Sequence, residues 1–104
     1  MTGERLRLIS WRPLRQGRVR GFASVEVFGC LTIRDCPLLV DDQGRVWASL
    51  PAKPELDRTG HCRTGTRGER LYTEIISWKS RRLKDAFSER LVSLVRAAHP
   101  DDLD

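Results

Sequence analysis

The apolar period of this chain changes once, late and abruptly. Residues 18–28, RVRGFASVEVF, alternate: Val19, Ala23, Val25 and Val27 fall on one side, and Arg18, Arg20, Phe22, Ser24 and Glu26 on the other. After Ser80 the repeat is helical. Leu83, Phe87, Leu91, Leu94, Val95 and Ala98 form a single stripe. A period-two pattern fits a pleated strand and a 3.6 pattern fits a helix, and neither satisfies the other. The chain must therefore build a sheet first and lay one helix on it afterwards.

Turn chemistry divides the sheet region. A first strand is predicted over 4–14, with Pro13 near its end, and Gln16-Gly17 makes the first turn. The alternating stretch 18–28 follows, then a turn at Gly29-Cys30. A third strand over 31–40 is interrupted by Pro37, which implies an edge or a bulge. Asp41-Asp42-Gln43-Gly44 is a turn, and 45–50 makes a fourth strand. Residues 51–70 read as a loop, and 71–78, LYTEIISW, return to strand character. Ser80 is a good N-cap for a helix over 80–98, Pro100 stops it, and an acidic tail occupies 100–104.

At 104 residues one domain is expected. The fold class is α+β: an antiparallel sheet of four to five strands over 4–78, built from consecutive hairpins and covered by one C-terminal helix. The face carrying Val19, Val25, Val27, Leu31, Ile33, Val46, Ala48 and Leu50 is the one to bury. The opposite parity carries Arg5, Arg7, Trp11, Arg18, Arg20, Phe22, Arg45 and Trp47. Its aromatics need cover too, which a second copy would supply. They also offer a stacking platform for single-stranded nucleic acid.

Charge narrows the function. Nineteen basic residues face fourteen acidic ones, for a formal net charge of +5, and three of the acids sit in the tail. Sixteen of the bases are arginine. Arginine suits bidentate phosphate contacts, and a basic domain favours polyanions, although a GC-rich coding sequence gives the same arginine bias. No apolar run approaches the roughly 18 residues of a membrane span, and Met1–Arg7 is charged. With three cysteines, an odd number, a reducing cytoplasm is the expected compartment.

Chemistry-bearing motifs are absent: no HExxH, GxSxG or P-loop occurs. Cys30, Cys36 and His61-Cys62 lack zinc-ligand spacing, so thiols are expected and metal is not. Arg34-Asp35 reads as a structural pair. The expectation is a non-enzyme with no cofactor and no small-molecule substrate.

Two clusters stand out. Lys79, Arg81, Arg82 and Lys84 crowd the start of the helix, where the macrodipole is already positive and disfavours each exposed cation by ~0.3–1 kcal/mol. An anion docked there reverses that sign and uses the free backbone N–H groups. The alternative is that Glu74, Asp85 and solvent absorb the cost. In the loop, Arg58, Arg63, Arg67 and Arg70 are interleaved with glycines, which suits wrapping a phosphate backbone, or simply solvation.

The segments Arg5-Leu6-Arg7-Leu8, Gly21-Phe22-Ala23-Ser24-Val25, Leu31-Thr32-Ile33-Arg34-Asp35-Cys36, the turn ending in Gly44, and Leu50-Pro51-Ala52-Lys53 together resemble the stage V sporulation protein G family. Ser80-Arg81 is similar to the family's Ser/Thr-Arg start of its helix. The resemblance implies a small antiparallel sheet with a C-terminal helix, assembled as a homodimer, that binds DNA and in some members RNA in bacterial gene regulation. It places contacts at Lys53 and Arg81. The 54–70 loop departs from the family's wording. The expected function is thus a homodimeric nucleic-acid-binding regulator. Its phosphate contacts would come from Lys53, Arg58, Arg63, Arg67, Arg70, Lys79, Arg81, Arg82 and Lys84. The alternative is a protein–protein interaction module using the aromatic strand face or the acidic tail.

Overall fold

A computed structural model describes residues 5–103. The expected strand start at residue 4 and the last tail residue, Asp104, lie outside the described residues. Strands β1 (Leu6–Gln16), β2 (Val19–Val27), β3 (Leu31–Val40) and β4 (Val46–Ala48) pair in sequence order as one antiparallel sheet. Helix α1 (Arg81–Ala98) packs across it. Two further strands, β5 (Ala52–Pro54) and β6 (Tyr72–Glu74), pair only with each other. The fold is α+β, as the change of period requires. Among the described residues, no helix is long and apolar enough to cross a membrane.

Two bulges decide which side chains are buried. On β3, Ala23 faces Cys36 while Val25 faces Ile33, so Arg34 and Asp35 together oppose Ser24. Asp35 takes a left-handed φ of 58°, a conformation tolerated better by Asp than by most residues, and its N–H reaches Ser24 Oγ at 3.3 Å. On β1 the register shifts between Leu8 and Ser10, opposite the same stretch of β2. Each extra residue reverses the alternation beyond it. Hence Ile33, Cys36 and Leu38 all reach the core from β3, and Trp11 joins Leu6 and Leu8 on the core side of β1.

This corrects the expected faces. Trp11 packs against the core rather than on the arginine face. Leu31, expected in the core, is 54% exposed at the far end of the sheet. The remaining predicted core positions on β2 and β4 lie in it or pack against it, except half-buried Val19. Gly21 permits the Trp11 placement: a Cβ there would stand 2.7 Å from the Arg12 carbonyl oxygen and run into the indole. Pro37 lies in an interior strand, not at an edge. It has no N–H to give, its carbonyl takes the Ser49 N–H at 3.0 Å, and the β4 ladder stops at Ala48.

The helix begins as predicted. Ser80 is its N-cap and accepts the Leu83 N–H at 3.2 Å. Its buried face is Phe87, Leu91, Val92 and Val95, while Leu83, expected in the stripe, overhangs the sheet at 45% exposed. Ser88 Oγ accepts the Ala48 N–H at 2.8 Å, tying the edge strand to the helix. The acidic tail does not hang free. Beyond the helix the chain turns back, Leu103 enters the core at 2% exposed, and Asp102 Oδ2 accepts the Trp11 indole N–H at 2.8 Å.

The stretches predicted as loop 51–70 and strand 71–78 form an arm instead. Only Tyr72–Glu74 is strand, paired with Ala52–Pro54. Beyond that stem three backbone bonds run in a ring: Glu55 N–H to Leu71 O at 2.8 Å, Leu71 N–H to Arg63 O at 3.0 Å, and Arg63 N–H to Glu55 O at 2.8 Å. Two short hairpins leave this junction, one through the Leu56–Cys62 bridge and one through Thr64–Arg70. No residue of the arm is buried.

Candidate nucleic-acid interface

The helix start opens on a cleft of about 390 Å³, lined on one side by the chain from Ala48 to Ala52 and on the other by Glu74 and residues 76–81, with Lys84 one turn further on. Trp78 fixes this geometry. Its ring stacks at a tilt on Phe87, with centroids 5.1 Å apart, which pins the linker between arm and helix to the core. Three cations, Lys79, Arg81 and Lys84, reach the cleft, against one carboxylate, Glu74. Arg81 has a loose ion pair with Asp85 at 3.9 Å, whereas no ion pair engages Lys79, Arg82 or Lys84 among the described residues. The first turn of α1 contains no acidic residue. Ser80 satisfies the Leu83 N–H, which leaves the Arg81 and Arg82 N–H groups without intrahelical partners. An anion entering here meets cations, serine hydroxyls and free amides together.

Lys53 does not line this cleft, although its neighbour Ala52 does, and neither does Arg82. Lys53 sits on β5 at the root of the arm, opposite Thr73.

The arm arginines divide by geometry. Arg63 belongs to the junction, where it donates to Glu55 Oε1 at 3.0 Å, so a local carboxylate already answers its charge. Arg58 and Arg67 occupy the two hairpin tips. In the first tip Gly60 N–H bonds Asp57 O, Asp57 N–H bonds His61 O, and Gly60 supplies φ of 88°. In the second, Gly68 N–H bonds Gly65 O, Gly65 N–H bonds Glu69 O, and Gly68 supplies φ of 80°. Each is a tight turn closed by a left-handed glycine. Arg70 lies across from Thr64 in the second hairpin. No ion pair holds Arg58, Arg67 or Arg70 among the described residues.

The acidic groups of the tips are spent inward. Asp57 Oδ1 takes the N–H groups of Thr59 and His61 and the Thr59 hydroxyl, at 2.7–3.0 Å. These bonds, the Thr59 hydroxyl first, hold its carboxyl below the ordinary range. Glu69 Oε1 takes the Arg67 N–H at 2.9 Å. The same design closes β3–β4, where Asp41 Oδ1 takes the Gln43 and Arg45 N–H groups. That parallel was readable: Asp57-x-x-Gly60 repeats Asp41-x-x-Gly44, and Gly65-x-x-Gly68 echoes both.

Several side chains of the open face have local partners. Arg12 covers the Phe22 ring at 5.1 Å and pairs with Asp35 at 3.6 Å, as Arg7 does with Glu26 and Arg18 with Asp42. Of the cysteines, Cys36 is in the core, Cys30 in a turn and Cys62 on the arm. A second, apolar groove of about 530 Å³ runs along the other side of Trp78. Leu6, Val27, Phe28, Leu83 and Phe87 are among the residues that line it.

No protein-family model, curated protein or solved structure matches the chain. The resemblance to the stage V sporulation protein G family rests on the quoted segments alone.

Proposed function

We propose that this chain is a nucleic-acid-binding protein that acts as a homodimer in a regulatory role, not a catalytic one. The observation that carries the reading is the cleft at the helix start. Cations normally avoid a helix N-terminus, yet Lys79, Arg81 and Lys84 converge there beside unfilled backbone donors. A backbone phosphate answers all of these at once. Lys53, Arg58, Arg67, Arg70 and Arg82 extend the contact outward, with Arg63 held back by Glu55. The test is binding to duplex DNA, single-stranded DNA and RNA across a salt series. Three or more phosphate contacts give a log–log slope of about −3 or steeper on duplex, and Lys79→Glu with Lys84→Glu makes it shallower. No retention at ~50 mM salt, or a flat slope, refutes the reading.

Dimerisation is supported by strain at an exposed aromatic residue, Phe28. The Val27–Cys30 turn, closed by Cys30 N–H to Val27 O at 3.2 Å, gives Phe28 a φ of 58°. An aromatic residue there costs ~1–3 kcal/mol of strain, yet Phe28 is 47% exposed at the apolar groove. A second copy packed on that groove explains why Phe is kept where Asn or Gly belongs. Phe28→Asn should raise monomer stability by about 1 kcal/mol and weaken association, read by sedimentation equilibrium. A wild type that stays monomeric at high concentration refutes the dimer.

A further inference from the structure

We propose that the two arm tips read the minor groove of duplex DNA and give this protein a preference for A·T-rich sites. The inference rests on the nucleic-acid reading above and adds to it a partner, a groove and a sequence class. Helix α1 is too thick for a minor groove about 6 Å wide, since a helix with side chains measures ~10–12 Å. A hairpin tip is not. Apart from arginine, the two apices carry only Thr59 and Gly60, and Thr66 and Gly68, between their closing residues. Each apex presents one arginine, Arg58 or Arg67, with no ion pair among the described residues. Asp57 and Glu69, the acids nearest those arginines, are turned onto turn N–H groups.

The choice of arginine fits this groove. A narrow A·T minor groove concentrates negative potential and draws in arginine, whose guanidinium is more weakly hydrated than an ammonium. Minor-groove edges distinguish A·T from G·C and little else, so the readout is by composition and width, not by exact sequence. The cleft at the helix start then holds the flanking phosphate, which positions without specifying. The junction ring joins both tips to one base, and the stem attaches that base beside the cleft, where Ala52 and Glu74 belong to both.

The experiment compares two 20-base-pair duplexes at one salt concentration by fluorescence anisotropy. One carries a central A-tract and the other is G·C throughout. The expected result is about tenfold tighter binding to the A-tract duplex, loss of that advantage in the Arg58→Ala/Arg67→Ala variant, and competition by netropsin, a minor-groove ligand. Far-UV circular dichroism and Tm of the variant check that the sheet and helix are intact. Equal affinity for the two duplexes overturns this inference and leaves the nucleic-acid reading standing. So does tighter binding to single strands or to A-form RNA of the same sequence. Failure to bind any nucleic acid at ~50 mM salt overturns the underlying reading instead.

Discussion

The tail offers a sharp test of the packing argument. Leu103 stands among aspartates, yet it is 2% exposed and belongs to the same cluster as Leu38, Leu91 and Val95. Leu→Ala at a buried site costs about 2–5 kcal/mol, the larger values arising where a cavity cannot collapse. Leu103 sits in the turn that follows α1, outside any helix or strand, so its surroundings can adjust and the lower part of that range applies, about 2–3 kcal/mol. In a domain of this size each kcal/mol moves Tm by about 4–8 °C, so the variant should melt roughly 10–20 °C lower. Urea unfolding followed by far-UV circular dichroism gives the same quantity as a shift in midpoint. The indole bond supplies an independent arm of the test. Trp11 Nε1 donates to Asp102 Oδ2 at 2.8 Å, and the Trp11→Phe and Asp102→Ala pair should couple by about 0.5–1.5 kcal/mol in a double-mutant cycle. A Leu103→Ala protein within about 0.5 kcal/mol of the parent refutes the docked tail, because that is the size of an ordinary surface substitution.

Gly21→Ala should destabilise by about 1–3 kcal/mol, because its new Cβ meets the Arg12 carbonyl and the Trp11 ring; an unchanged urea midpoint refutes the close approach. Burial, aided by Asp35, pushes the Cys36 thiol up to about 12, so at pH 8 an aromatic disulfide reagent should titrate Cys30 and Cys62 quickly and Cys36 only on unfolding. Three fast equivalents contradict that placement. The Arg45 N–H foremost, with the Gln43 N–H, lowers the Asp41 pKa in the folded state. A lowered folded pKa stabilises above the unfolded value, and the gain is lost as pH falls through the folded one. Asp41→Asn, which keeps an acceptor oxygen but no titration, should therefore lose less stability than the parent between about pH 4 and pH 2; parallel acid limbs of the urea midpoint count against it.

The parts of the fold legible in the sequence are those set by local rules. Ser80, the helical repeat and Pro100 bound the helix, and the alternation of 18–28 places Ala23, Val25 and Val27 in the core as expected. The bulges are legible only in part: Pro37 implies an edge or a bulge on β3, and the extra residue falls just before it at Arg34-Asp35, whereas nothing near Ile9 announces the one on β1. Each reverses the positions that follow it directly, which is how Trp11 comes to the core side. The docked tail was hidden for a different reason. Leu103 is a single apolar residue among aspartates, and its partners lie far back along the chain. The candidate site was legible as charge and not as arrangement. The sequence sets four cations around Ser80, but only the packing of Trp78 on Phe87 turns three of them into one cleft. It sets four arginines in the arm, but only the junction separates Arg63, bound to Glu55, from the two at the tips.

The arm also explains why β5 falls in a stretch that reads as a loop, and why β6 keeps only Tyr72–Glu74 of the strand expected over 71–78. Strand signals come from apolar alternation, and alternation exists to bury one face. None of residues 52–74 is buried, so the arm has no core face that calls for alternation. Their order depends on backbone bonds and turn chemistry alone. Each such bond contributes about 0.5–1.5 kcal/mol net, while fixing one residue costs about 1–2 kcal/mol of entropy. On those magnitudes the arm is close to balance by itself, and a surface that engages its tips decides the outcome. Amide exchange in 52–74 should therefore be fast in the free protein, with protection near zero beside that of β2, and should slow by at least about tenfold on saturation with the A-tract duplex. Strong protection in the free protein would mean that the ring of three junction bonds is more cooperative than its parts. Unchanged exchange on the duplex would place the arm outside the contact and leave the cleft at the helix start to bind alone.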